Sequence, residues 1–456
     1  MSPSALNPTT EVIKVVCLMS LEEMPRDVKA LEERIIEKVQ QSGREFYAAV
    51  FYAFQRRWLQ ERGGDYTAVR WRTINQVTPF GLIRLPVRVV RERGAQKGGY
   101  LSLSKALFKP KATRLLSPWV EKGVLEATTC SNYRPAAAEL WRWVRVKVSA
   151  WLIWKCVQFH GARLCEQLER QWWPDRALPR KADVVVTEID STYLKAQRRG
   201  RAARGHPTAH FAIHLGLHYS GRERRYQKRG SCSVRLRSKR WILSTEPLSI
   251  FGRRLAWQRM RHFQPGFKEV LLSDGEEGLK WVREREFAQS QWLLDRWHIA
   301  QNVRTLVCDD EREHRRIMAA VWKSDSEAVL EALRTSPYRH TRPLEFNALF
   351  GYILGNRDGI DNWHAVASGL RRSLGRRLAP VHSGSGAIEK NIEVRIGRRF
   401  KRQGRSWSRN GAEHLAQLLW LQTHPTDWIH WWSKTALSRI KVNPGWPSCA
   451  PPITDN

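Results

Sequence analysis

Three acidic residues lie where a carboxylate can take part in chemistry. Asp190 ends a short apolar run that begins at residue 184, and Asp274 follows a second apolar run, 270–272, just before a glycine. Glu389 lies near the start of a predicted helix. Functional groups converge at strand ends and helix starts of an α/β sheet, so we expect these three carboxylates to meet.

Carboxylates that meet repel one another unless a cation lies between them. Two like charges 4 Å apart cost about 4 kcal/mol at an effective dielectric constant of 20. Hard oxygen ligands suit Mg²⁺ or Mn²⁺. Two such ions about 3.5–4 Å apart activate a water or a 3′-hydroxyl and stabilise the leaving oxygen of a phosphodiester. The pattern therefore predicts a two-ion site for phosphodiester chemistry.

Spacing alone leaves two other acids open. Glu188 shares a strand face with Asp190, because side chains alternate along a strand. Glu393 lies one helical turn after Glu389. An aspartate after a strand is also a common turn former or helix cap.

The composition indicates a polyanionic partner. The 456 residues carry a formal net charge of +34, and 42% of them are hydrophobic. That hydrophobic content excludes a wholly disordered basic chain. The charge favours nucleic acid as the partner over a charge-balanced metabolic enzyme.

Cysteine usage and hydropathy predict a protein of a reducing compartment without a membrane span. The seven cysteines are odd in number and none is spaced as CxxC. The most apolar segment, 150–157, is far short of the roughly 20 residues that a span needs.

Helices and a hairpin are predicted before the acidic residues. Apolar spacings of three and four predict a helix over 28–39, and a second helix over 44–60 after a break at Ser42-Gly43. Residues 69–91 are rich in β-branched side chains and indicate a hairpin.

A pair of short helices follows in a basic context. One helix is predicted over 134–143 and the next over 150–160, with Ser149 as its N-cap. The pair is typical of a helix-turn-helix, and plain helical packing is the alternative.

From Asp183 the pattern changes to short buried strands. The predicted order is β-β-β-α-β-α-β, over residues 184–189, 211–219, 241–244, 247–262, 270–272, 278–287 and 292–294. About 90 helical residues follow, and a further helix begins near Ala387.

Four segments together resemble bacterial DDE insertion-sequence transposases of the ISLre type, within the mutator-like group. The segments are Glu188 to Tyr193, Leu272 to Gly275, Leu294 to His298, and Gly386 to Ile392 running into Lys401 to Ser408. The resemblance covers residues 65–425. It implies an α/β fold with an RNase H-like catalytic core (β-β-β-α-β-α-β-α), an all-α insertion before the last helix, and a mostly helical N-terminal DNA-binding region.

The resemblance assigns roles to the acids. It makes Asp190, Asp274 and Glu389 the catalytic residues and the ligands of two Mg²⁺ (or Mn²⁺) ions. Asp295 and His298, spaced as D-x-x-H, resemble a motif of the mutator-like group and are accessory candidates. The alternative is that Asp295 caps a helix and His298 packs beneath it.

Two positions depart from the family pattern. Asp274 lies in Ser-Asp-Gly-Glu where the family has Gly-Asp-Gly-Ala, and Ser191 stands where glycine or another small or acidic residue is common. Neither departure removes a carboxylate.

A basic run adjoins the predicted site. We expect it to contact phosphates, although a charge run is also typical of a solvated face. Six to ten phosphate contacts would make binding strongly dependent on salt. The run comprises Arg395, Arg398, Arg399, Lys401, Arg402, Arg405 and Arg409.

The chain divides into six predicted parts. They are an N-terminal helical region (1–64), a hairpin and helix-turn-helix-like DNA-binding region (65–180), the first part of the core (181–298), a helical insertion (299–386), the last part of the core with the basic segment (387–442), and a disordered tail (443–456).

The predicted function is a DNA transposase that binds terminal inverted repeats and carries out metal-dependent hydrolysis and strand transfer. Its partners would be double-stranded DNA of the element ends and target, and further copies of itself in a dimer or larger assembly. The expected location is the bacterial cytoplasm, at the nucleoid. The alternatives are an inactive DNA-binding descendant of a transposase and a structure-specific RNase H-like nuclease.

Overall fold

The computed structural model describes residues 27–95, 99–107, 112–113, 115–169, 178–197, 209–226, 232–378, 386–402 and 406–437. The predicted tail, 443–456, lies outside these residues. The chain forms two compact units, one of Met1–Arg163 with Leu421–Asn456 and one of Leu164–Trp420. No helix among the described residues is long and apolar enough to cross a bilayer.

The first unit combines a three-stranded antiparallel sheet, in the order β1-β2-β3, with helices. Its elements are α1 (Val28–Arg62), β1 (Tyr66–Thr78), β2 (Gly81–Glu92), β3 (Tyr100–Ser102), α2 (Leu103–Leu107), α3 (Pro118–Cys130), α4 (Tyr133–Val144), α5 (Ala150–Glu169, which continues into the second unit) and α16 (Pro425–Leu437).

The predicted hairpin is present, but the predicted break in the first helix is wrong. The helix α1 runs through Gly43 without interruption. A Cβ at that position would lie 2.2 Å from the ring of Phe80, which sits in the β1–β2 turn. The glycine therefore allows the turn to approach the helix and does not end it.

The two predicted helices of the basic region correspond to α4 and α5, and α5 is longer than predicted. Ser149 accepts a hydrogen bond from the backbone N–H of Leu152, as a cap does. The buried Glu121 of α3 receives the backbone N–H of Thr113 and lies 3.0 Å from Nε2 of His160 in α5. The contact with His160 fixes α5 against α3.

The second unit has a mixed α/β architecture around a five-stranded sheet. Its order is β10-β9-β4-β5-β8, with β4, β9 and β10 parallel and β5 and β8 antiparallel to their neighbours. The strands and the helices among them are β4 (Val184–Lys195), β5 (His210–Tyr219), β6 (Gly221–Tyr226), β7 (Cys232–Arg237), β8 (Arg240–Ser244), α6 (Leu248–His262), β9 (Lys268–Ser273), α7 (Glu277–Glu286) and β10 (Gln291–Leu294).

This sequence of elements agrees with the predicted order apart from one addition. A separate two-stranded sheet of β6 and β7 lies between the second and third predicted strands. Its arginine-rich strands lack the apolar run that marked the others, so periodicity did not reveal it.

Helices follow β10, as predicted. They are α8 (Arg296–Val307), α9 (Glu311–Lys323), α10 (Ser326–Arg334), α11 (Tyr338–Thr341), α12 (Pro343–Gly355) and α13 (Arg357–Leu378). The indole N–H of Trp363 in α13 donates to the backbone oxygen of Leu294 at 2.7 Å. This bond ties the helical segment to the end of β10.

The last predicted helix begins where expected but changes its winding. A short α-helix, α14 (Gly386–Asn391), continues directly into a π-helix, π1 (Ile392–Lys401). The helix α15 (Arg409–Gln422) closes the unit. Wide turns of this kind are rare and occur often at functional sites.

Candidate active site

Strand register brings three aspartates to one edge of the sheet. Glu188 of β4 pairs with Leu272 of β9, so Asp190 and Asp274, each two residues further, lie side by side. Ser273 pairs with Leu294 of β10, so Asp295 follows Asp274 at the same level on the other side. Three adjacent parallel strands therefore carry acidic residues at the same level. Strands β9 and β10 end just before theirs, whereas β4, predicted to end at residue 189, continues through Asp190 to Lys195 because its pairing with β5 extends that far.

Glu389 and His298 complete the group. Ligand atoms of Asp190, His298 and Glu389 all lie within 4.8 Å of one another. Nε2 of His298 is 4.0 Å from Oε1 of Glu389, and Nδ1 of the same ring is 2.7 Å from Oδ2 of Asp295. The structure thus brings together the acids and the histidine that the sequence singled out.

Local hydrogen bonds orient the aspartates. Asp190 accepts the backbone N–H of Ser191 at 2.6 Å, and Asp274 accepts that of Glu276 at 3.0 Å. Asp295 is buried and accepts the N–H of Trp297, so it caps α8 while it also holds His298. Asp295 therefore caps α8, and the accessory role of Asp295 and His298 stays a prediction.

Glu188 serves a different purpose. Its carboxylate is fully buried and accepts the backbone N–H of Ile388 at 2.7 Å and the hydroxyl of Tyr219 at 2.5 Å. The guanidinium of Arg222 lies 3.3 Å away. Glu188 thereby fastens the start of α14 to the sheet and positions Glu389.

Glu393 lies outside the group. Its carboxylate is about half exposed and pairs with Arg402 and, 3.8 Å away, with Arg398. The pairing with Arg398 joins residues five apart, as the wider turn of π1 allows. The structure therefore favours Glu389 over Glu393.

Burial raises the pKa of the grouped carboxyls. The pKa of Asp190 rises to about 7, mainly through burial and further through the negative charges of Asp274 and Glu389, while His298 opposes the rise. Burial also raises the pKa of Asp274 and of Glu389. Without a bound cation, the folded protein therefore disfavours the ionised form of these carboxyls.

His298 is the compensating group. Burial alone would lower its pKa, but the hydrogen bond and charge of Asp295 and the charges of Asp190 and Asp274 raise it to about 9. A protonated imidazole here balances part of the negative charge.

The donor set fits a hard divalent cation. The carboxylate oxygens of Asp190 and Glu389 converge, and oxygen ligands of this kind suit Mg²⁺ or Mn²⁺. His298 lies beside them as a positively charged neighbour and not as a ligand. Oε1 of Glu389 is buried and has no hydrogen-bond partner among the described residues. A buried acceptor without a donor is costly, and a cation would satisfy it.

The helical segment supports the Asp274 turn, which sequence reasoning did not anticipate. Gly275 has φ +79°, and a Cβ there would lie 2.7 Å from both Oδ1 of Asn356 and Cδ1 of Leu294. The hydroxyl of Tyr352 donates to the backbone oxygen of Asp274. No spacing signal connects Tyr352 or Asn356 with Asp274, about 80 residues earlier in the chain.

The basic run divides between surface and interior. Arg399 is buried against Trp407, and Arg395 is half-buried over Trp241, with its guanidinium carbon 4.7 Å from the ring centre. The predicted phosphate contact is therefore wrong for Arg399, because its guanidinium does not reach the surface. Arg405 lies outside the described residues. The exposed members are Arg398, Lys401, Arg402 and Arg409.

One exposed member touches the strand of Asp190. The ammonium group of Lys401 donates to the hydroxyl of Thr192, two residues beyond Asp190 on β4. Positive charge therefore begins within a few residues of the acidic group.

Comparisons with known proteins place the sequence in a family. Among curated proteins, the one named "UPF0236 protein in vanSb 3'region" from Streptococcus gallolyticus is 23% identical over 382 residues, which cover 80% of this chain and 76% of that protein. Among solved structures, a chain of the Drosophila P element transposase strand transfer complex aligns with 67% of this chain and 93% of its own length, at 7% identity and a TM-score of 0.31. Residues 23–434 match the sequence profile of UPF0236, described as an uncharacterised protein family, and the chain belongs to that family.

Proposed function

We propose that this protein is a DDE transposase of the ISLre type, and that its second unit is an RNase H-like catalytic core. One observation carries the proposal: acidic residues on three adjacent parallel strands meet a glutamate and a histidine at one edge of the sheet. The net charge of +34 supports DNA as the substrate.

The proposed chemistry assigns a task to each side chain. Asp190, Asp274 and Glu389 would hold two Mg²⁺ or Mn²⁺ ions. Bound ions of this kind lower the pKa of an attacking hydroxyl and stabilise the leaving oxygen. His298, oriented by Asp295, lies against Asp190 and Glu389 and sets the charge that the group carries.

Both proposed reactions exchange one phosphorus–oxygen bond for another. In hydrolysis, a water oxygen bonds to phosphorus and the bond to the 3′ oxygen breaks, so that the 3′ oxygen leaves with a proton. In strand transfer, that 3′-hydroxyl bonds to a target phosphorus and a target 3′ oxygen leaves. The number of phosphodiester bonds is unchanged by transfer, so this step needs no external energy source.

The surface beside the acids would hold the DNA backbone. Arg398, Lys401, Arg402 and Arg409 are exposed, and Lys401 reaches the strand that carries Asp190. In the first unit we propose that α4 and α5 recognise the terminal repeats, since two helices joined by a short basic connection suit the major groove.

A strand-transfer assay tests the proposal. Purified protein is mixed with Mg²⁺ or Mn²⁺ and DNA that carries the sequences flanking the gene, and joined products are resolved on a gel. We expect joining by the wild type and a loss of at least about a hundredfold in Asp190→Asn and Glu389→Gln. Glu393→Gln is the matched control, because this acid lies four residues after Glu389 but outside the group, and we expect it to stay active.

The other outcomes separate the alternatives. Binding without cleavage in the wild type and both variants would contradict the catalytic proposal and favour a DNA-binding descendant. Cleavage of branched DNA without joining would favour a structure-specific nuclease. Joining that survives both substitutions would show that other acids hold the reacting groups.

A further inference from the structure

The long helix α1 carries a second apolar face that the described first unit leaves largely exposed, with the Phe80 ring reaching its margin at Gly43. Its members recur at helical spacings on one side of the helix, and every one is at least 36% exposed. From Val28 to Phe54 the face extends for about 39 Å at 1.5 Å per residue. The exposed apolar members are Val28, Ile35, Ile36, Val39, Phe46, Val50 and Phe54.

The packed face of α1 lies on its other side. Phe51 and Gln55 are buried against the sheet, where the amide of Gln55 bonds to the backbone of Pro86 and Arg88. The strands therefore cover one side of the helix, and Phe80 and Trp71 reach only the two margins of the other side, at Gly43 and Tyr52. An exposed apolar stripe of this length on the other side is typical of an interaction site.

We propose that α1 pairs with α1 of a second copy of this chain as an antiparallel helix pair. In the antiparallel register that sets small residues against large ones, Val39 faces Ser42 of the second copy and Ile35 faces Phe46. Side chains of two packed helices interdigitate when a small residue faces a large one. The same register sets Val28 against an alanine, Ala53.

Charge in this register is self-complementary. Beside the apolar layers, Lys38 faces Glu45 of the second copy, and the twofold symmetry repeats the pair. On the same flank Leu31 faces Tyr52, which is 41% exposed. The interface thus has an apolar centre and two opposite-charge pairs at its rim, as flanking positions of paired helices provide.

The parallel arrangement lacks these features. It would place Glu32 against Glu32 of the second copy within the apolar layers, where like charges repel. In the antiparallel register Glu32 faces Ala49 instead. The sequence of α1 therefore selects the antiparallel pair, and this inference stands apart from the proposed chemistry.

Sedimentation equilibrium of the nucleic acid-free full chain tests the pairing. We expect a dimer whose dissociation constant rises about tenfold or more in Lys38→Glu and in Glu45→Lys, since each change sets two like-charge pairs at the rim. The double variant Lys38→Glu/Glu45→Lys should return close to the wild-type value. Glu37→Lys, the same kind of change outside the proposed face, should leave the dissociation constant unchanged.

Folding is checked separately. All these positions are exposed, so thermal melting and helical content should match the wild type. A monomer at every concentration would overturn the proposal and leave the stripe to another segment, such as residues 1–26. A dimer that survives Val39→Asp would show that another surface pairs, and a double variant no better than the single ones would exclude the antiparallel register.

Discussion

The ionised carboxylate of Asp190 is disfavoured in the folded protein when no cation is bound. Its pKa lies near 3.8 in an unfolded chain and about 7 in the folded protein, chiefly because it is buried. The folded state therefore holds the proton more tightly than the unfolded chain does. It follows that the contribution of this residue to the free energy of unfolding falls as the pH rises from about 4 to about 7.

Replacement of the carboxylate should therefore stabilise the metal-free protein. In the presence of a chelator at pH 8, we expect Asp190→Asn to raise the free energy of unfolding by about 1–2 kcal/mol, as measured by urea denaturation. The amide oxygen can still accept the N–H of Ser191, so the turn is kept. The gain should shrink towards pH 4, where the wild-type carboxyl is protonated in both states.

With Mg²⁺ present, we expect the wild type to become more stable than Asp190→Asn. We expect the wild type to gain stability on addition of the ion and Asp190→Asn to gain much less, since binding to the folded state alone stabilises it. An Asn variant less stable than the wild type at pH 8 without metal would contradict the view that this carboxylate is strained.

Among the elements, the strands that carry the aspartates were easier to predict than the contacts that hold the neighbouring turns and helices in place. The ends of β9 and β10 could be located because each is a short apolar run that stops at a polar residue. The predicted end of β4 at residue 189 is wrong, since the strand continues to Lys195 with polar side chains that carry no apolar pattern. Spacing could not separate Glu389 from Glu393, because that choice depends on the hydrogen bonds of Glu188 and on the change from α-helix to π-helix.

The contacts between the helical segment and the Asp274 turn were also beyond sequence reasoning. They join residues that are distant in the chain, and a tyrosine and an asparagine within helices carry no pattern of their own. Only the glycine after Asp274 hinted at them, since a left-handed backbone favours that residue.

Gly275→Ala tests the importance of that turn. The positive φ and the close approach of Asn356 predict a loss of about 1–3 kcal/mol in the free energy of unfolding, with reduced Mg²⁺ binding by calorimetry. Gly351→Ala is the matched control. Apart from the helix's own backbone and the neighbouring residues, no described atom lies within 4 Å of a Cβ at that helical position, so we expect a gain of about 0.5–1 kcal/mol. Equal effects of the two substitutions would contradict the close fit at Gly275.

At the scale of the whole molecule, charge should govern association with DNA. Each phosphate neutralised on duplex DNA contributes about 0.9 to the slope of the logarithm of affinity against the logarithm of salt concentration. The surface arginines contribute to this slope only where they face solvent.

The neighbouring residues Arg398 and Arg399 distinguish contact with DNA phosphates from a structural role in the folded protein. We expect Arg398→Ala to reduce the salt slope by about 0.9 without lowering the melting temperature. Arg399→Ala should leave the slope unchanged and lower the melting temperature, because its guanidinium is buried beside Trp407. Fluorescence anisotropy across a salt series and thermal melting measure both, and equal slope changes would contradict the assignment.

The first unit is built from two stretches of chain that are far apart in the order of synthesis. Gln422 and Trp428 donate hydrogen bonds to Leu125 and Glu126 of α3, at 3.0 and 2.9 Å. At 5–20 residues per second, a ribosome needs roughly 15–60 s to pass from one partner to the other. During that interval α3 lacks these neighbours, so a nascent chain presents an unfinished first unit until Gln422 and Trp428 have been translated. A copy shortened by a premature stop in the second unit before Glu389 would lose both this residue and the closing helix of the first unit.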